Sequence, residues 1–442
     1  MREGGLLLGI DIGTTRTKSL LVDEQGAELA RASVPTPFRT EAGSTEMTAA
    51  ALRSVLAEVL ARLGSEIEGV EAVGVAGLAE SGAPFDRRGD PLAPIIAWHD
   101  PRGEESVALL EQRFGPELAF LVGQHLRTVS SVAKLGWLVG EGLGHVHRWV
   151  GVPELCLLAL TGEWATDFSL AARTGCYDVG RRRWLPEVAR ALAIDPAVMP
   201  PVLAAGTPMG RVSGDGAAWS RLARGTPVTL AGHDHLAAAA GCGAGAEDLA
   251  NSVGTAETVV GRAAHLPDVQ RALAQRAAVT LVPTGNGWAV LASAARAGRV
   301  LHVAASALGR PFAELDALAV EATPLEAADL VADLQAGDAS RLPPEDPGGV
   351  WAGLLRALAV RTAGAVARVG DVVGPAPRMV VFGGGSRSRR WLLAKSEVCP
   401  LSVWRSTTDE AAARGAAVYA GVAAGWWPSP TQAPRVELEE IA

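Results

Sequence analysis

Gly232-His233-Asp234-His235 follows a short apolar run at 228–231. A carboxylate at the end of a strand can take the proton of a substrate hydroxyl, the task of a general base in phosphoryl transfer. The same aspartate also suits the cap of the small-residue helix expected over 236–245, and both readings stand at this level. His233 and His235 form an H-x-H pair with no third ligand nearby in sequence. They are therefore read as hydrogen-bonding groups around Asp234 or toward a substrate, in preference to a metal centre.

A second chemical segment is Asp11-Ile12-Gly13-Thr14-Thr15. Gly13 allows a tight turn and lets backbone N–H groups approach an anion, and the threonine hydroxyls add donors. Asp11, at the strand end, can hold Mg²⁺ directly or through water. Gly254-Thr255 offers a similar turn between two short apolar runs. Alone it is an ordinary turn; paired with the first, it could grip a polyphosphate from the other side. Gly383-Gly384-Gly385-Ser386 fits neither G-x-x-x-x-G-K-[ST] nor G-x-G-x-x-G, because Ser388 stands at the sixth position of the latter. It is read as a turn, or as a loop over which a flat ring could lie close to the backbone. Glu80 and Ser81, in the loop after an expected strand at 70–75, and Trp98, His99, Asp100 and Arg102 mix a ring face with polar groups. That mixture suits a polyol pocket; an Asp–Arg pair beside a core tryptophan is the plainer alternative.

The elements that must carry these residues are legible from periodicity. The runs at 6–10 and 17–23 around Gly13 form a hairpin, and 28–33 a third strand. The segment 48–63 has apolar residues at helical spacing and stops before Gly64. Further helices are expected at 132–139, 154–160, 186–194, 354–369, 391–397 and 409–423. The opening pattern recurs after residue 249: a strand, the Gly254-Thr255 turn, a second strand, and later a strand at 378–382. The chain therefore reads as two similar halves dividing near residue 244. Segment 323–349 is expected to be loop-rich, and the tail from Trp426 irregular.

Composition sets outer limits. The net charge is 40 − 48 = −8, without a basic block, which argues against a nucleic-acid partner. Apolar residues make up 48% of 442, enough for a full core. The four cysteines are scattered, so no disulfide framework or zinc cluster is readable and a reducing cytoplasm fits best. The apolar run at 6–10 is too short for a secretion signal, and no run reaches a membrane span's length.

Taken in order, these segments resemble the FGGY family of carbohydrate kinases, within the actin-like ATPase superfamily, and among them the xylulose kinase-like members. GIDIGTTRTKSLLVD is similar to the family's first phosphate motif, and IIAWHDPR to its W-x-D-x-R segment. SVAKLGWL, LTGEWATDFSLAARTGCYD, AGHDH, NSVGTAE and VVFGGGSRSRRWLLAKSEV follow in the family's order. The resemblance implies an α/β fold of two actin-like (ribonuclease H-like) lobes, each a mixed sheet flanked by helices, with a deep cleft between. The lobes would cover residues 1–243, with the sugar site, first phosphate turn and catalytic Asp, and 244–442, with the second phosphate turn and adenosine site. It implies ATP and Mg²⁺ as cofactors and phosphorylation of a sugar or polyol hydroxyl, a ketose such as xylulose among them.

Residue by residue, the resemblance makes Asp234 the catalytic base and Asp11 the magnesium-side carboxylate. Gly13, Thr14, Thr15, Gly254, Thr255, Gly298, Gly384, Gly385 and Ser386 would bind nucleotide. Glu80, Ser81, Trp98, Asp100, His233, Asp234 and His235 would face the substrate. The chain departs from the family at Leu78-Ala79-Glu80-Ser81, where xylulose kinases carry Gln-Met-His-Gly and glycerol kinases have Arg before the Glu. These departures leave the sugar open. The family allows a homodimer and gives no reason for a membrane partner. A second reading, a non-catalytic actin-like nucleotide switch, needs the phosphate turns but no sugar pocket.

Overall fold

The computed structural model describes residues 4–442, so the first three residues of the expected N-terminal lobe lie outside the described residues. Leu6–Ile12 is buried at every position, as a run of apolar residues in the middle of a sheet must be. It pairs antiparallel with Arg16–Val22, which pairs antiparallel with Glu28–Pro35. On its other side it runs parallel to Val70–Gly77, and that strand runs parallel to Pro227–His233. Gly210–Arg211 closes this edge. Among the described residues these six strands form one sheet.

The second half repeats the plan. Leu249–Val253 pairs antiparallel with Glu257–Ala263, and that strand with Trp288–Ala295. Arg378–Phe382 and then Ser402–Ser406 lie parallel on the other side. Ala278–Leu281 and Leu438–Glu440 extend the two edges. Three antiparallel strands with two parallel strands beside the first of them thus occur twice, in agreement with the recurrence seen in the sequence.

Helices flank both sheets. Ala49–Ala61 begins where the Thr48 side chain accepts the N–H of Ala51 at 3.1 Å, and it buries Leu52, Leu56, Val59 and Leu60. Two helices join the halves. Asp234–Gly241 packs its Leu236, Ala238 and Ala239 against Ala250, Val260 and Phe382 of the second sheet. Ala411–Ala424, near the C-terminus, instead lies on the first sheet, with Ala416 and Tyr419 against Ala76 and Ala231. The two helices cross in close contact. A Cβ on Gly415 would fall inside the carbonyl of Ala237, so only glycine allows this approach. Sequence position alone had assigned the 409–423 helix to the second half; its packing spans both.

Other boundaries differ from expectation. The helix expected at 354–369 runs from Pro347 to Val373, started by Asp346, whose carboxylate accepts the N–H of Gly349. Its first turns contain Gly348 and Gly349, poor helix formers that mask it in sequence. The segment 323–349 is not all loop: it holds the helix Leu330–Ala336, which buries Val331 and Leu334. The tail from Trp426 is irregular until Leu438–Glu440, which joins the sheet edge. The helix expected at 236–245 starts and ends earlier, as Asp234–Gly241. Among the described residues Pro347–Val373 is long and apolar enough to cross a membrane, and 67% of its apolar window is buried inside the protein.

A small sheet positions the remaining loops. Gly82–Phe85 pairs with Arg148–Gly151 and, at Gly82, with Ile95–Ile96; the latter pairs with Ser44–Met47. The loop holding Glu80 and Ser81 therefore bridges the main sheet and this one, and the Trp98–Arg102 segment leaves it close by.

Candidate active site

The register brings three strand ends level. Ile12 pairs with Gly77, and Gly77 with His233. Asp11 and Gly232 share the partner Ala76, so their backbones stand two strand spacings, about 10 Å, apart. Ligands of parallel α/β sheets bind beyond the carboxyl ends of the strands. Here that edge carries the Gly13 turn, the 78–81 loop and Asp234 together. In the second half Ser252 pairs with Phe382. The Gly254-Thr255 turn and the Gly383–Ser386 turn therefore also leave one sheet edge side by side.

Asp234 is the first residue of its helix, and the cap position belongs to His233, not to Asp234 as the sequence allowed. Its Oδ1 accepts the N–H of His235 at 2.6 Å and lies 3.2 Å from His233 Nε2. A register shift between Leu230 and Gly232 turns the chain here, and Gly232 has φ 88°. Burial pushes the His233 imidazole down to about 3, against the pull of the Asp234 charge. His233 is therefore neutral, and its Nδ1 has no partner among the described residues. The His235 ring packs edge-on against it, centroids 5.0 Å apart.

Asp11 is 8% exposed, and its Oδ1 takes no hydrogen bond among the described residues. Burial, then the Asp234 charge, pushes its carboxyl up to about 7, with Lys18 opposing. A buried acceptor oxygen near a second carboxylate is the donor chemistry that a hard divalent cation takes, so the residues fit Mg²⁺. In the adjoining turn the Gly13 N–H donates to Arg16 O at 3.1 Å. Thr15 is exposed, and Thr14 Oγ1 accepts the Trp98 indole N–H at 2.9 Å. The structure thus brings Trp98 to the phosphate turn, with its ring half-buried.

Asp100 does not offer a free carboxylate, contrary to its expected place against the substrate. Oδ1 accepts Arg102 Nε and N, and Oδ2 accepts Arg102 Nη2 and the N–H of Thr45, all between 2.7 and 3.0 Å. It is 1% exposed. Its geometry is that of a brace for the 97–102 loop, the plainer Asp–Arg alternative read from the sequence. Lys134, which the sequence left without a role, completes the brace: its buried Nζ donates to the carbonyls of Asp100 and Arg102.

Glu80 is largely buried and ion-paired with Arg173. Ser81 is 1% exposed, and its Oγ lacks a partner among the described residues. It lines a cavity of only ≈ 20 Å³ with Glu80, Glu154 and Thr166. That is room for about one water-sized group, such as a single hydroxyl, and not for a whole sugar. Glu154 Oε1 accepts the Thr166 hydroxyl at 2.6 Å while Oε2 is unpartnered among the described residues. Neither Glu154 nor Arg173 was singled out from the sequence. Arg173 lies inside the LTGEWATDFSLAARTGCYD segment, so that motif was the available signal.

Burial pushes the Glu154 carboxyl up to about 7. A raised folded-state value means that the folded chain holds a proton the unfolded chain releases. Stability from this group is therefore lost as pH rises from about 4.5 through about 7, on the order of 1–3 kcal/mol. Glu154→Gln should remove that slope and be the more stable protein at pH 8. Denaturant melts at pH 5 and pH 8 check this; equal pH slopes in the two proteins would refute a neutral buried carboxyl.

In the second half, Gly254 and Thr255 are exposed, and Gly254 N donates to Ala256 O at 3.1 Å. Gly298 backs onto this turn: a Cβ there would lie 2.6 Å from Gly254 O. Gly384 is exposed with open space above it. Gly385 rests between Val253 and Trp391, and Ser386 Oγ donates to Gly383 O at 2.7 Å.

A duplicated sheet with a glycine–threonine turn at the head of each copy is the two-lobed actin-like ATPase fold. It superposes on the xylulose kinase from Lactobacillus acidophilus with TM-score 0.85 at 16% identity, over 98% of this chain and 93% of that one. The N-terminal domain of the FGGY family of carbohydrate kinases matches residues 6–241. This chain belongs to that family. It is 27% identical to the L-fuculokinase of Salmonella typhi over 456 residues, 97% of this chain and 94% of the relative. The chain spans 57% of the L-fuculokinase of Escherichia coli, at 28% identity over 270 residues and 59% of its own length. It spans 54% of the xylulose kinase of Streptomyces coelicolor, at 30% identity over 263 residues and 58% of its own length.

Proposed function

We propose that the protein transfers the γ-phosphoryl group of ATP to a hydroxyl of a sugar or polyol. The observation that supports this most is the level alignment of the Gly13 turn, the Glu80 loop and Asp234 at one sheet edge. Asp234, half-exposed at the head of a helix, is the base that takes the hydroxyl proton. His233, neutral, lies 3.2 Å from its Oδ1, and the N–H of His235 holds that oxygen. Glu80 accepts a hydrogen bond from a substrate hydroxyl, and Trp98 ties the sugar-side loop to the phosphate turn. Thr14, Thr15, Gly254 and Thr255 flank the phosphates, and Gly384, Gly385 and Ser386 line the adenosine side. Asp11 would hold Mg²⁺, which when bound supplies charge neutralisation on the phosphates.

Xylulose kinase and L-fuculokinase among the relatives put ketoses at the head of the substrate panel. The test is ADP formation by the full chain with Mg-ATP and a set of ketoses and polyols. At least one should raise turnover about 10-fold or more above ATP hydrolysis alone. Nucleotide binding without stimulation by any of them would favour the nucleotide-switch reading.

A further inference from the structure

The short helix Phe168–Arg173 ties the base to the sugar-side loop. Near its start, Ser169 Oγ accepts the backbone N–H of His233 at 3.0 Å and itself donates to Asp167 Oδ1 at 2.6 Å. At its end, Arg173 Nε donates to Glu80 Oε1 at 2.7 Å, and Nη2 lies 2.5 Å from the same oxygen. The two side chains are 13% and 8% exposed, so the pair is largely desolvated. Glu80 also has φ 66°, a left-handed backbone that is unfavourable for a non-glycine residue. Arg173 on its carboxylate and Ser131 Oγ on its carbonyl, at 3.1 Å, hold it there.

Two cations next to this pair are committed as well. Arg102 is paired with Asp100 and Glu46, and Lys134 with two backbone carbonyls. His233 is neutral. Around Glu80 a hydroxyl therefore meets an acceptor oxygen, whereas a carboxylate finds Arg173, Arg102 and Lys134 already engaged.

We infer that Arg173 is a positioning residue that sets Glu80 for hydrogen bonding and makes the pocket selective for uncharged polyhydroxy substrates over sugar acids. This rests on the kinase reading above. A neutral sugar donates a hydroxyl hydrogen bond to Glu80, whereas an aldonate brings a like charge against a carboxylate whose paired guanidinium is already engaged. Without Arg173 the Glu80 charge is left uncompensated in a nearly dry wall, and its strained loop relaxes away from the sugar.

The test uses the full chain in a coupled ADP assay with ketoses and polyols beside aldonates of matching length. Wild type should prefer the neutral class by about 100-fold in kcat/KM. Arg173→Ala should raise the KM for the neutral sugar about 10-fold or more, with the KM for ATP within about twofold. Arg173→Lys, which keeps the charge but loses the fork, should fall between. Glu80→Gln, which frees the guanidinium, should raise the aldonate-to-neutral ratio about 10-fold or more. ADP formation that favours aldonates in wild type overturns this inference and leaves the kinase reading standing. So does an Arg173→Ala protein whose two KM values move together, or a Glu80→Gln protein with an unchanged ratio. ADP formation with neither class overturns both. Should Arg173→Ala fail to fold, Arg173→Lys and Glu80→Gln decide the matter alone.

Discussion

Asp234→Asn should lower kcat by about 10²–10⁴-fold while leaving the KM for ATP within about twofold. The amide keeps the oxygen that accepts the His235 N–H at 2.6 Å, so the start of the Asp234–Gly241 helix survives. It keeps the shape against His233 as well. What it loses is the negative charge and the basicity that let a carboxylate take a proton. The Gly13 and Gly254 turns proposed to hold the nucleotide lie on other elements, so its binding should change little. Steady-state kinetics with the best neutral sugar, and calorimetry of ADP binding, read the two quantities separately. Turnover close to wild type would show that the proton leaves by another route and would remove Asp234 from the mechanism.

The second large effect concerns stability. Lys395→Met should destabilise the second lobe by about 3–5 kcal/mol. Lys395 is 1% exposed, and its Nζ donates to Glu257, to Asn251 Oδ1 at 3.1 Å and to Thr362 Oγ1 at 2.8 Å. The Thr362 hydroxyl lies 2.7 Å from Glu257 Oε1. The network joins two strands of the sheet to the long helix Pro347–Val373 and to Arg389–Val398. Removing the ammonium leaves the Glu257 carboxylate buried with no counter-ion, and that uncompensated charge is the main cost. The double variant Lys395→Met with Glu257→Leu should recover much of the loss, since a buried pair is often replaceable by apolar side chains. Hydrogen exchange at Leu249–Val253 and Glu257–Ala263 localises the effect. Additive losses in the two single variants would show that the pair does not act as a unit. Because Glu257 lies two residues past Thr255, the single variant should also weaken ATP binding.

Both predictions draw on residues of unequal visibility in the sequence. Asp234 stands out because a carboxylate after an apolar run and before a small-residue helix is a local pattern. Lys395 does not, because its partners are 33, 138 and 144 residues away. The same contrast runs through the cleft. The hairpin around Gly13 and its echo at Gly254 were readable from turn chemistry over a few residues. Arg173 and Glu80 are 93 residues apart, and nothing in the local pattern of either announces the other. Asp100 illustrates the opposite error: its motif context suggested a ligand for substrate, but Arg102 and the Thr45 backbone consume both oxygens. The helix Pro347–Val373 was underestimated because its first turns carry glycines that packing, not propensity, holds in place.

The sequence alone determined the alternation of strands and helices, the doubling of the chain, and the turn residues that can meet an anion. These are properties of neighbours along the chain: burial pattern, left-handed glycine, the absence of breakers. The tertiary structure alone decided which strand ends stand level. It also decided that the C-terminal helix lies on the N-terminal sheet, and which charges are neutralised before a substrate arrives. Those follow from parallel pairing and from close helix crossing at glycine, which join residues hundreds of positions apart and leave no periodic trace in either segment.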